Sequence, residues 1–112
     1  MATALSRILD HLRDDGGLQG KDIANIVAVS PATVSRWSNG KATPDLRTQT
    51  VIADLRYVVD RLGDFYTPGE TRLWLHAKHP MLGGERAIDL INAGRIEPVL
   101  AIIEGLESGA YT

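Results

Sequence analysis

The chain contains no cysteine, which excludes a disulfide framework, a thiol nucleophile and a cysteine-ligated zinc site. No apolar run approaches the ~20 residues of a membrane-spanning helix. The start, Met1-Ala2-Thr3-Ala4-Leu5, lacks the basic residues and long apolar stretch of a signal peptide. These absences give the expectation of a cytoplasmic protein with no membrane partner. There is no internal repeat, no low-complexity tract and no stretch that reads as a strand. Nor is there a phosphate-cradling glycine signature, a nucleophile elbow or a catalytic carboxylate pair, so an enzyme is the least supported class and no cofactor is expected. His76 and His79 have a spacing at which a helix can bring two imidazoles to one metal, but no third ligand lies near and Pro80 breaks the segment, so no metal is expected.

What is present is an ordinary globular composition: 112 residues, 44% apolar and 23% charged, with a formal net charge of −2. A chain of this length buries roughly two thirds of its unfolded surface, enough for one core or two small cores sharing an interface. The net charge argues mildly against nucleic acid, whose phosphates favour a basic excess. Its distribution argues the other way. Residues 16–47 carry Lys21, Arg36, Lys41 and Arg47 against Asp22 and Asp45, a balance of +2, whereas residues 48–112 hold six basic and nine acidic residues, a balance of −3. Opposite signs in the two halves point to two tasks and two partners.

Leu5, Ile8, Leu9 and Leu12 recur at helical spacing and predict a first amphipathic helix that stops at Asp15-Gly16-Gly17. A second helix follows over Lys21–Ala28, with Ile23, Ala24 and Val27 on one face, and a third opens at Ser30-Pro31 and closes at Asn39-Gly40. The longest periodic segment, from about Leu46 to Phe65, places Val51, Ile52, Leu55, Val58, Val59 and Leu62 on one stripe. Thr67-Pro68-Gly69-Glu70 fits a capping box and predicts a helix through Leu73-Trp74-Leu75, interrupted at His79-Pro80. Met81-Leu82-Gly83-Gly84 reads as a loop and Arg86–Ala93 as a short helix stopped by Gly94. The last helix starts near Pro98, turns Val99, Leu100, Ile103 and Leu106 inward and ends at Ser108-Gly109. The fold class is all-α, in two abutting parts, 1–66 and 67–112, with a tight boundary between them.

The densest signal runs from Gly20 to Asn39. Two helices crossing steeply over a short turn need a small residue where they touch, here Ala24, and apolar anchors, here Ile23, Val29, Val34 and Trp37. The third helix then presents short or forked donors of the kind that read base edges and phosphates from the major groove. The candidate DNA-contacting set is Lys21, Ser30, Thr33, Ser35, Arg36, Asn39 and Lys41, with Arg47 a further flanking cation. Residues 18–41 resemble the helix-turn-helix of Xre/Cro-type repressors, and Ser35 to Lys41 is similar to the end of their recognition helix. Two positions depart from that pattern. Ala28 stands where the family usually has glycine, at a cost on the order of 1 kcal/mol if the backbone is left-handed there. Gly20 stands where many members have a phosphate-binding glutamine, which leaves the backbone amides at that helix start to hold a phosphate. Such a helix pair either reads DNA or survives as a scaffold, and Arg36 is the only strongly positive side chain on the reading face.

The later order, Leu73-Trp74-Leu75, His79-Pro80, Leu82-Gly83-Gly84, Ala87 to Ile91, Gly94, Val99 to Leu106 and Gly109-Ala110-Tyr111, resembles the toxin-binding domain of the MbcA/ParS/Xre antitoxin family. With the helix pair upstream, the resemblance covers essentially the whole chain. It implies the antitoxin of a type II toxin–antitoxin module, docked over the active-site cleft of a RES-domain toxin that consumes NAD or transfers ADP-ribose. It also implies repression of the module's operon through operator DNA, bound by a homodimer or by a hetero-oligomer with the toxin. The toxin-binding residues it implies are Trp74, His79, Pro80, Leu82, Gly83, Gly84, Arg86, Asp89, Gly109, Ala110, Tyr111 and Thr112. The residues themselves leave choices open. Tyr111 plugs the cleft, or it folds back on the core or frays, and Trp74 divides between core and interface. Gly83-Gly84 permits close approach of a partner or simply turns the chain, while Arg86 and Asp89 pair with each other or contact the toxin. The alternative is a freestanding repressor whose second half dimerises and which tolerates loss of residues 107–112.

Overall fold

The first five helices begin where a side-chain oxygen meets the backbone amides left free at a helix start. The computed structural model describes residues 3–109. In α1 (Ala4–Gly16) the Thr3 hydroxyl accepts from the Ser6 amide at 3.0 Å. In α2 (Gly20–Val27) the Asp22 carboxylate accepts from the Gln19 amide at 3.0 Å. Ser30 caps α3 (Pro31–Ser38) and Asp45 caps α4 (Leu46–Leu62), accepting from the amides of Thr33 and Thr48 at 3.1 and 2.8 Å. The capping box is formed at α5 (Pro68–His76): Thr67 accepts from the Glu70 amide and Glu70 from the Thr67 amide. Two shorter segments, α6 (Ala87–Asn92) and α7 (Glu97–Glu107), complete the helices.

The ends of α1 and α2 are set by backbone geometry. Gly17 is left-handed, φ +64°, and its amide donates to the Arg13 carbonyl while that of Leu18 donates to Leu12, folding the buried Leu18 back on the helix. A Cβ at Gly17 would lie 2.7 Å from the Pro68 carbonyl oxygen, so the end of α1 abuts the start of α5 with no room for a side chain. Ala28 ends α2 at φ +61°, ψ +48°, the one non-glycine residue with positive φ among those described. The left-handed cost anticipated at this turn therefore applies. Ala28→Gly is expected to stabilise the fold by about 1 kcal/mol, read as a higher urea midpoint with unchanged slope. An unmoved midpoint would mean that the turn carries no strain.

Four expectations are corrected. The helix through Leu73 ends at His76, before His79-Pro80, because Ala77 turns extended and Lys78–His79 (β1) pairs antiparallel with Glu85–Arg86 (β2). The expectation of no strand thus fails for a ribbon of two residues on each side. Pro80–Leu82 forms a 3-10 turn inside it, and Gly83 and Gly84 follow with φ +68° and +82°. Arg86 belongs to this ribbon, so α6 begins at Ala87. In α7 the fully covered residues are Val99, Ile102 and Ile103, whereas Leu100 and Leu106 are only partly buried.

Helix α4 is the central element. Its stripe of Val51, Ile52, Leu55, Val58, Val59 and Leu62 is buried throughout, and it packs on α1, α6 and α7. Trp37 is 4% exposed and is core, as its place in the apolar set indicated. One apolar cluster runs unbroken from Leu9 on α1 to Ile103 on α7. Among the described residues no helix is long and apolar enough to cross a membrane.

Candidate functional site

Helices α2 and α3 pack through Ile23, Ala24, Val34 and Trp37, all buried, with Val29 partly buried between them. The outer side of α3 is polar and linked. The hydroxyls of Ser30 and Thr33 are 2.9 Å apart, and Arg36 Nη2 donates to Thr33 Oγ1 at 3.1 Å. Ser35, Asn39, Lys41 and, on α2, Lys21 are exposed, and Thr33 is partly buried. Two expectations at this site change. Arg47 Nη2 donates to the Asn92 carbonyl at 2.6 Å, which ties α4 to the end of α6 rather than leaving the guanidinium unengaged. The start of α2 holds the carboxylate of Asp22 on the Gln19 amide, an acidic group that counts against a phosphate bound there.

Asp22 also joins this helix pair to α5. Its side chain is 7% exposed and accepts from Arg72 Nη2 at 3.0 Å and Nε at 3.5 Å. Burial alone would raise the carboxyl, but the Arg72 guanidinium and the Gln19 amide outweigh it and hold the group below the usual carboxylate range. The carbonyl of Arg72 in turn accepts from His76 Nδ1 at 2.8 Å.

On α5, Thr71 and Leu75 point into the core, so Leu73 between them points out and is 66% exposed. Tyr66, Glu70, Leu73, Trp74, Ala77 and His79 line a shallow, mainly apolar groove. Trp74 is partly buried, and its ring lies 4.6 Å from the His79 imidazole, whose Nε2 donates to the Trp74 carbonyl at 2.8 Å. His76 and His79 are thus engaged separately, and no metal-ligating cluster exists among the described residues. Leu82 is 6% exposed and anchors the ribbon in the core, which corrects its place among residues that touch a partner. Pro80, Gly83 and Gly84 are exposed at the turn. Arg86 Nε and Nη2 donate to both oxygens of Asp89 at 2.8 and 3.0 Å, so these two pair with each other. Gly109 is exposed at the end of α7, and Ala110, Tyr111 and Thr112 lie outside the described residues.

Sequence reasoning did not single out the exposure of Leu73, of Met81 at 58% or of Phe65 at 41%. A signal was available for the first. Three consecutive apolar residues on a helix turn through about 200° and cannot all face one core.

Comparison with known proteins gives matches over almost the full length. A protein of Mycobacterium tuberculosis named "probable mycobacterial cidal antitoxin" is 36% identical over 110 residues, 98% of this chain and 93% of that protein. The mycobacterial cidal antitoxin MbcA of Mycobacterium bovis, and that of Mycobacterium tuberculosis, are 26% identical over 111 residues, 99% of this chain and 95% of theirs. No protein-family model matches. Among solved structures, a chain of the crystal structure of the M. tuberculosis MbcT–MbcA toxin–antitoxin complex has the same fold, with a TM-score of 0.83 at 24% identity, covering 98% of this chain and 99% of that one. A small all-α protein with this fold and these relatives is of the antitoxin class. More particularly, the chain belongs to the mycobacterial cidal antitoxin family.

Proposed function

We propose that the chain is the antitoxin of a type II module and acts in the cytoplasm on a RES-domain toxin that consumes NAD or transfers ADP-ribose. In this reading residues 67–112 cover the toxin's active site, with Tyr111 entering the cleft. Residues 1–66 bind operator DNA and repress the module's operon. The observation that carries the reading is relatedness to antitoxins along the whole chain. The exposed Leu73 beside Trp74 supports it, since a large apolar anchor next to a pocket is what protein interfaces bury at their centre. The linked Ser30, Thr33 and Arg36 on the outer side of α3 support the DNA part. Neutralisation is steric, so it asks neither chemistry nor a cofactor of this chain. A basic balance of only +2 over residues 16–47 makes a single copy a weak, salt-sensitive DNA ligand, so binding proceeds through a homodimer or through the complex with toxin.

The test is to purify the chain with the toxin it captures and to follow NAD consumption by that toxin with and without the chain. Stoichiometric suppression is expected, and its absence overturns the reading. Arg36→Ala is expected to weaken operator binding by about tenfold and to leave suppression intact. Equal loss of both activities would sink the division into two surfaces.

A further inference from the structure

One face of α4 stays outside the core. Leu46, Thr50, Ala53 and Tyr57 follow one another at intervals of four, three and four residues, the spacing that lays side chains in a single stripe along a helix. All four are exposed, Leu46 at 80% and Tyr57 at 47%, and none is charged. Both hydroxyls are already bonded within the chain: Thr50 Oγ1 donates to the Leu46 carbonyl at 3.0 Å, and the Tyr57 oxygen accepts from Arg61 Nη1. Covering the stripe therefore forfeits little hydrogen bonding to water. Beside Ala53 a mainly apolar groove opens toward α1, lined by Leu5, Ile8, Gln49 and Ile52.

Charged residues flank the stripe. On one side Asp54 is partly buried, and burial together with the neighbouring Glu97 raises its carboxyl. No cation bonds Asp54 among the described residues, and Arg47 on the same flank is bonded only through Nη2, to the Asn92 carbonyl. These two are seven positions apart, about 10 Å along the axis, too far to meet within one helix. On the other side stand Asp45, whose carboxylate caps α4, and Arg56, loosely placed 4.0 Å from Asp60. A second α4 laid antiparallel on the stripe, turned end for end at the level of Thr50, exchanges position 47 with 54 and, by the same rotation, 45 with 56. A two-fold axis across the helices also keeps each flank against its like. Each Arg47 then meets the second copy's Asp54, and each Arg56 the second copy's Asp45, the kind of flanking charge match that sets partner and orientation in paired helices. Leu46 falls between the second copy's Ala53 and Tyr57, where the small alanine leaves room for it.

We infer that this face of α4 is the surface through which two copies of the chain pair, antiparallel about a two-fold axis near Thr50, with Leu46 as the anchor. The inference deepens the homodimer of the proposed function and rests on that reading for its role at the operator. Pairing uses none of the residues that line the α5 groove, so it and toxin capture draw on different side chains.

Sedimentation equilibrium of the full chain is expected to show a dimer. Leu46→Glu is expected to raise its dissociation constant about thirtyfold or more, as loss of a central anchor does, with the helical circular dichroism unchanged because Leu46 lies outside the core. Asp54→Arg is expected to raise the constant roughly tenfold by facing Arg47 with a like charge, and adding Arg47→Asp to restore it. Because the chain has no cysteine of its own, single cysteines read the orientation. Thr50→Cys, beside the axis, is expected to join two copies by a disulfide on mild oxidation, whereas Leu46→Cys, about 13 Å along the axis from its counterpart, is not. A parent chain that stays monomeric at its highest soluble concentration, a dimer that survives Leu46→Glu, or a disulfide through position 46 overturns the inference. If the dimer forms as described but Leu46→Glu leaves affinity for a duplex of the module's own promoter region unchanged, the surface stands and the homodimer's place on the operator fails.

Discussion

Leu73→Asp is expected to abolish toxin capture, weakening affinity by about a hundredfold or more as loss of a central anchor does, while the melting temperature moves by only a degree or two. Leu73 is 66% exposed, so the substitution removes no core contact. Surface changes of this kind shift stability by about half a kcal/mol. In a complex the same position would carry a desolvated carboxylate among Tyr66, Trp74 and Ala77, beside the acidic Glu70 and with no lysine or arginine lining the groove. Titration calorimetry against the captured toxin reads the affinity and thermal melting reads the fold. Unchanged affinity would move the partner surface away from α5. Trp74 is a poorer choice for this test, because it is partly buried and its contact with His79 helps shape the ribbon.

The largest effect on folding is expected from Gly17→Val. A β-branched residue at φ +64° costs on the order of 2 kcal/mol in backbone strain alone. The added Cβ also meets the Pro68 carbonyl oxygen at 2.7 Å, a backbone atom in the first turn of α5 that cannot swing aside as a flexible side chain does. Relief would require α5 to move away from α1, and that movement strains the Asp22–Arg72 pair. The combined loss is expected to reach about 3 kcal/mol or more, a large share of the 5–15 kcal/mol that a domain of this size holds. Urea unfolding followed by far-ultraviolet circular dichroism checks it. A midpoint near that of the parent chain would show that the start of α5 shifts freely.

The helix starts at Ser30-Pro31 and Thr67–Glu70 were legible because a capping side chain acts over three residues, a distance visible in any sequence. The α4 stripe was legible because a buried helix repeats its apolar positions. The left-handed Ala28 was anticipated only through likeness to proteins that carry glycine there. What the sequence hid is long-range. Arg47 finds Asn92 across 45 positions, Arg61 finds Glu107 across 46 and Asp22 finds Arg72 across 50, and each pairing depends on which helix faces meet. The ribbon of Lys78–His79 with Glu85–Arg86 was hidden for another reason, since two residues are too few to show an alternating pattern. At the candidate partner surface, likeness to a family pointed to Trp74 and His79, but only the packing of Thr71 and Leu75 revealed which neighbour faces outward.

The unbroken apolar cluster from α1 to α7 bears on how proteins of this kind diversify. A chimera that joins the first half of one such chain to the second half of another would bring together α1, α4, α5 and α6 faces that had never been fitted to each other. Recombination at the middle of the gene is therefore a poor route to new pairings. Exposed positions such as Leu73 and Arg36 can change without repacking anything beneath them. New specificities in this lineage should then accumulate as point substitutions on a shared, inherited interior.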